Sequence, residues 1–116
     1  MYVERRWGGN KYGSVGTEYG GKQYHSRKEA EYAAELDLRV KAGDIVGWDR
    51  QERMSLDVNG QHIANYYVDF TVQHKDGTTE YVEVKGFPTE VWRLKWKLFE
   101  ALYSGRPDVK LTVVKV

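Results

Sequence analysis

The sequence predicts an α/β fold, a mixed β-sheet flanked by helices. Two observations predict it. Structural signals run in the order helix, strands, helix, strand. The strand segments alternate apolar and polar residues, whereas the two helices show helical spacing between cap residues, the pattern of an α/β sandwich.

The elements follow in order. Residues 1–23 are glycine-rich with interspersed tyrosines and no sustained period, and they predict a loop-rich arm, basic over residues 1–17. Ser26 is a good helix N-cap, and Glu29 completes capping-box spacing. That helix is expected to run to about Ala42, ended by Gly43. A strand within Ile45 to Val58 closes on the Asn59-Gly60 turn signal. A second spans about Ile63 to Gln73, and a third about Thr79 to Lys85 after Asp76-Gly77. Gly86, Phe87 and Pro88 break the chain, and Thr89 caps a second helix to about Tyr103. Ser104, Gly105 and Pro107 end it, and Val109 to Val116 forms the last strand.

With 116 residues, 41% apolar, the chain fits one domain with a real core. No apolar run approaches membrane-spanning length, and the N-terminus lacks a signal peptide's apolar region, so a cytoplasmic protein with no membrane partner is expected. The absence of cysteine excludes disulfides and thiolate metal sites. The net charge of +1 hides an asymmetry. Residues 1–28 carry six basic groups (Arg5, Arg6, Lys11, Lys22, Arg27, Lys28) against Glu4 and Glu18, whereas the remainder is acidic. A basic arm beside an acidic body suggests a polyanion-binding segment next to a metal-binding or acidic site. A solvated tail is the plain alternative. The aromatics among these basic residues, Tyr12 included, could stack on bases or sit in grooves.

The chemistry centres on Glu83-Val84-Lys85. On a strand, Tyr81, Glu83 and Lys85 share one face, and on the preceding strand Tyr67, Asp69 and Thr71 share one. A two-residue turn at Asp76-Gly77 would set Glu83 opposite the apolar Phe70. A three-residue turn, Lys75-Asp76-Gly77 with Gly77 left-handed, instead sets Asp69 opposite Glu83 and keeps both patterns consistent. Facing carboxylates repel, and a hard divalent ion such as Mg²⁺ resolves the repulsion. Glu29 shares a helix stripe with Ala33, Leu36 and Val40 and so faces the core, while Glu31 and Glu35 face solvent. Glu29 is thus either a capping acid, a member of the site, or both. In the second helix Lys95 falls near the middle of a broad apolar arc of Val91, Trp92, Leu94, Trp96, Leu98, Phe99 and Leu102. It either reaches a carboxylate or phosphate or lays its stem along the core with its ammonium in water. Gln51 either hydrogen-bonds in the site or faces solvent. His25, His62 and His74 lack metal-ligand spacing and read as surface or packing residues, and the helix tryptophans read as core.

The ordered set Ser26-Arg27-Lys28-Glu29-Ala30-Glu31-Tyr32, Tyr67-Val68-Asp69-Phe70, Val82-Glu83-Val84-Lys85-Gly86 and Leu94-Lys95-Trp96-Lys97-Leu98 resembles the PD-(D/E)XK nuclease superfamily. Within it, the set is most similar to small phage-encoded Holliday junction resolvase-like endonucleases. The resemblance spans about residues 17–116 and departs from the motif at Val68, where the name has proline. It implies a restriction-endonuclease-like core, with Asp69, Glu83, the Val84 carbonyl and Glu29 as ligands of Mg²⁺ and Mn²⁺ able to substitute. It implies catalytic roles for Glu29, Asp69, Glu83, Lys85 and Lys95, with Gln51 in support. Arg5, Arg6, Lys11, Tyr12, Arg27 and Lys28 would bind branched or duplex DNA. Resolution needs two symmetric cuts, hence an expected homodimer in the host cytoplasm. The alternatives are a nicking or end-processing nuclease, a catalytically inactive DNA-binding module of the same fold, and an acidic-patch structural protein.

Overall fold

The computed structural model describes residues 16–116. Arg5, Arg6, Lys11 and Tyr12 of the expected arm lie outside them. Thr17–Tyr19 (β1) and Lys22–Tyr24 (β2) pair antiparallel, so the predicted loop-rich segment ends in a hairpin. Its turn is Gly20-Gly21, both at positive φ (61° and 81°), which glycine adopts without a Cβ clash. Strands of three residues are too short to show a period, which is why the alternation was not legible.

Ser26 accepts a hydrogen bond from the Glu29 N–H at 3.1 Å and starts α1, Arg27–Lys41. Gly43, at φ 82°, lies just past its end, as expected. Two 14-residue strands follow, Ile45–Val58 (β3) and Gln61–His74 (β4), joined at Asn59-Gly60, both residues at positive φ. Thr79–Lys85 (β5), Glu90–Tyr103 (α2, capped by Thr89) and Val109–Lys115 (β6) complete the chain. The main sheet has the order β3-β4-β5-β6, with β5 and β6 parallel and the other pairs antiparallel. It is therefore mixed, and the crossover between its parallel strands is α2.

Alternate residues of β5 and β6 serve two cores. Val82, Val84 and Val114 pack with Tyr24, Ala30, Ala33 and Leu36 of the α1 side. Tyr81, Leu111 and Val113 pack with Trp96 and Phe99 of α2. The helices thus cover opposite faces of the sheet.

Along β4, Phe70 and Val72 belong to the α1-side core, whereas Tyr66 and Val68 belong to the α2-side core. All four are even-numbered positions on one side of one strand. The β3–β4 ribbon therefore twists from one core to the other at Asp69. On β3 the same changeover falls between Trp48 and Met54. It contains Gln51 at φ 53°, a left-handed conformation uncommon for a side chain of this kind.

The α2 facing differs from the predicted arc. Val91 and Leu94 are exposed, at 66% and 70%, whereas Trp96 and Phe99 are buried and Trp92, Leu98 and Tyr103 half-buried. The bulky rings bury the most area, so they rather than the aliphatic residues set the rotation of the helix.

Candidate active site

The turn between β4 and β5 decides the site. Gly77 stands at φ 91°, its N–H bonds to the His74 carbonyl at 3.1 Å, and the His74 N–H bonds to the Thr78 carbonyl at 2.9 Å. Residues 75–77 are therefore a three-residue loop, and the pairs run from Gln73–Thr79 to Phe70–Val82. The next step of that register sets Asp69 opposite Glu83, as the sequence requires. The paired ladder ends there. The Val84 N–H instead donates to Asp69 Oδ2 at 2.8 Å. Lys85, the next residue, turns its carbonyl toward β6, where it accepts from the Val116 N–H at 3.3 Å. Backbone groups of successive strand residues point to opposite edges, so the Val84 carbonyl is directed to the Asp69 side.

Three carboxylates are buried around this break. Glu29, Asp69 and Glu83 are 8%, 7% and 4% exposed. Gln51 Nε2 donates to Asp69 Oδ1 at 3.3 Å, which assigns Gln51 to the site rather than to solvent. The Tyr66 hydroxyl donates to Glu83 Oε1 at 2.6 Å and accepts from Trp92 Nε1 at 3.1 Å. Lys85 Nζ stands 3.6 Å from Glu83 Oε2 and 5.1 Å from the centre of the Trp92 ring. Glu83, Tyr66, Trp92 and Lys85 thus close a ring of contacts, tying α2 to β4 and β5 at the site.

Burial pushes Glu83 and Glu29 each up to about 8, and repulsion from Asp69 adds to both. Glu83 repels Glu29 as well, while Arg50 and Lys85 oppose the rise in Glu29. Burial also raises Asp69, to about 6, against the lowering influence of the Val84 N–H, Lys85 and Gln51. Glu29 is buried, and the hydrogen bond it gives to the cap comes from its backbone N–H, not its carboxyl. Its side chain belongs to the carboxylate cluster.

Other sequence-predicted residues lie further out. Arg27 and Lys28 are exposed on the first turn of α1 beside Glu29, and Lys28 pairs with Glu31 at 3.6 Å. Lys95 is half-buried and makes no ion pair or hydrogen bond among the described residues, so the structure does not bring it into the cluster. His62 and His74 bond to Asp57 and Glu80, away from the three carboxylates.

Three contributors escaped the sequence reading. Arg50 stacks its guanidinium 4.1 Å above the Tyr24 ring and counters the charge of Glu29. Its Nε is buried and has no hydrogen-bond partner among the described residues. Tyr66 and Trp92 looked like ordinary core aromatics. Only tertiary placement distinguishes them, and the polar ends of buried aromatics, which seek partners, are the one available signal.

Among the described residues no three His, Asp or Glu side chains converge closely enough to form a closed metal cage. The donor set is nevertheless all oxygen: two carboxylates across a strand break, one backbone carbonyl and a third carboxylate nearby. That is the chemistry Mg²⁺ accepts, since it takes one or two carboxylates and retains water.

A family model described as "Protein of unknown function (DUF1064)" matches residues 9–116, so the chain belongs to that family. No curated protein and no solved structure matches. No helix among the described residues is long and apolar enough to cross a membrane.

Proposed function

We propose that this member of the DUF1064 family is a metal-dependent, structure-selective DNA endonuclease with a restriction-endonuclease-like core, acting as a Holliday junction resolvase. The observation that carries the reading is the buried cluster of Glu29, Asp69 and Glu83 at the β4–β5 break, with Lys85 against it. Clustered buried carboxylates oppose folding unless protonated or neutralised, and a site of this kind is selected for chemistry rather than stability.

Asp69, Glu83 and the Val84 carbonyl would hold Mg²⁺ or Mn²⁺, with Glu29 completing the site directly or through water. When bound, the metal polarises the phosphoryl oxygen and lowers the pKa of the attacking water. The protein's own part is positional. Gln51 and the Val84 N–H hold both oxygens of Asp69. Tyr66 fixes one oxygen of Glu83. Lys85 sits between Glu83 and Trp92, placed to offset charge on the phosphate and to orient the water. That combination suits phosphodiester hydrolysis. The exposed Arg27 and Lys28, with the basic arm, would take backbone phosphates, contributing affinity without sequence information. Two symmetric cuts require two copies, so the working unit is a homodimer.

The test is incubation of the protein with four-way junction, duplex and single-stranded DNA in Mg²⁺ or EDTA. Cleavage in Mg²⁺ alone, fastest on the junction, is expected. Cleavage of all three at equal rates would leave a nuclease but remove the junction specificity. Cleavage in EDTA, or none in Mg²⁺ or Mn²⁺, would overturn the proposal.

A further inference from the structure

Beyond the paired length it shares with β5, the β3–β4 ribbon has one buried and one open face. Met54, Leu56, Tyr66 and Val68 pack inward. Arg53, Asn65, Tyr67 and Ile63 face outward, with Tyr67 52% and Ile63 55% exposed.

This open face runs directly into the site. Tyr67 precedes Asp69 by two residues on the same side of β4, about 7 Å along the strand. Arg53 pairs with Tyr67 across the ribbon. Its guanidinium is held by a 3.2 Å hydrogen bond to Asn65 Oδ1. Of the acidic side chains described along this stretch, Glu52 accepts from the Thr71 hydroxyl at 2.8 Å, and the Asp57 carboxylate is engaged by Ser55 and His62. An exposed ring beside a fixed cation, one short step from buried carboxylates, has the composition of a single-strand stacking platform. The ring takes a base face and the guanidinium takes the adjacent phosphate.

We propose that Tyr67 and Arg53 form a subsite for an unpaired nucleotide next to the scissile phosphate, and that this subsite gives the enzyme its preference for branched DNA. The inference rests on the nuclease reading for the location of the phosphate. A base in continuous duplex is stacked on its neighbours and unavailable to Tyr67. At a branch point that stacking is interrupted, and the ring replaces it. Binding energy is thus gained only where the duplex is broken.

Binding of the full chain to a four-way junction and to the matching duplex, each with 2-aminopurine beside the cut, tests this in EDTA, where no cleavage intervenes. Tyr67 is exposed, so Tyr67→Leu and Tyr67→Phe are expected to keep the parental melting temperature. Tyr67→Leu should weaken junction binding at least about fivefold, leave duplex binding unchanged and abolish 2-aminopurine quenching, because stacking on an aromatic ring is lost. Tyr67→Phe, which keeps the ring, should match the parent. Equal weakening on both DNAs, or none, would overturn the proposal. So would conversion of a dimer to a monomer by Tyr67→Leu in sedimentation, which would assign the face to a second copy. A parent that binds junctions with quenching yet never cuts in Mg²⁺ would sink the nuclease reading and leave the platform standing.

Discussion

The hydroxyl of Tyr66 donates a 2.6 Å hydrogen bond to Glu83, across from the side where Lys85 approaches the same carboxylate. Tyr66 thereby fixes the orientation of a candidate metal ligand, and the Trp92 indole N–H fixes Tyr66 in turn. Supporting groups of this kind typically alter metal affinity or activity about 10–100-fold when removed. Tyr66→Phe is expected to raise the Mg²⁺ concentration giving half-maximal cleavage by about tenfold, with a smaller change at saturating Mg²⁺. Mn²⁺ binding followed by electron paramagnetic resonance should weaken in parallel. Parental Mg²⁺ dependence in this variant would reduce the bond to a packing detail.

Asp69→Asn and Glu83→Gln each remove an anionic oxygen from the proposed metal site. Loss of several kcal/mol of metal-derived stabilisation corresponds to about a thousandfold in rate. Junction binding in EDTA should persist for Glu83→Gln, whose parent carboxyl is largely protonated below about pH 8, and persist or tighten for Asp69→Asn, which removes negative charge close to the phosphates. Substantial cleavage by either variant, measured on purified four-way junction, would contradict the assignment.

Much of this site was legible because strand geometry is discrete. Once Gly77 is taken as the left-handed residue of a three-residue turn, the β4–β5 register follows, and with it the approach of Asp69 to Glu83. Glu29 was legible because helical spacing with Ala33 and Leu36, both fully buried, leaves it no other side to face. Arg50 and Tyr66 were not, because the β3–β4 ribbon twists between two cores at Asp69 and no local pattern announces that twist. Gln51 sits at the changeover with a positive φ that is a property of the fold rather than of glutamine. The facing of α2 was misjudged for a related reason. An apolar arc that includes Val91, Trp92, Leu94, Trp96, Leu98 and Phe99 is too wide to fix which part turns inward.

The carboxylates make a signed prediction for pH. Glu29 and Glu83 have folded-state values near 8, well above the 4.5 of the free side chain. A group raised in this way contributes stability that is complete below its unfolded value and is lost as pH rises through its folded value. Metal-free protein should therefore lose their contribution between about pH 4.5 and 8. Glu83→Gln, which cannot ionise, should melt increasingly above the parent across that interval in EDTA. Saturating Mg²⁺ should stabilise the parent and shrink the difference, since a ligand of the folded state shifts unfolding. A difference independent of pH, followed by circular dichroism, would refute the linkage.

The basic arm lies outside the described residues, and its prediction rests on charge alone. Deleting residues 1–12 removes Arg5, Arg6 and Lys11 against one acid, Glu4. If the three cations neutralise three phosphates, the slope of log binding constant against log salt should flatten by about 2–3 on duplex DNA. Anisotropy titrations across a salt series measure it directly. An unchanged slope would make the arm a tail with no role in binding.

Lys95 provides the sharpest contrast between sequence and structure. Helical spacing set it in the centre of an apolar arc, where its ammonium would need a carboxylate or phosphate as partner. The helix instead turns Trp96 and Phe99 fully inward, leaving Lys95 half-buried on the flank without an ion pair among the described residues. A long stem in that position covers apolar surface while its charge stays hydrated. Lys95→Met keeps the stem's length and apolar contact and removes only the charge. It should therefore melt at or slightly above the parental temperature and cut four-way junctions at close to the parental rate. Lys85→Met, which removes the cation held between Glu83 and Trp92, should fold and yet lose most cleavage. Equal losses from the two variants would return Lys95 to the site and require α2 to close on the phosphate when DNA binds.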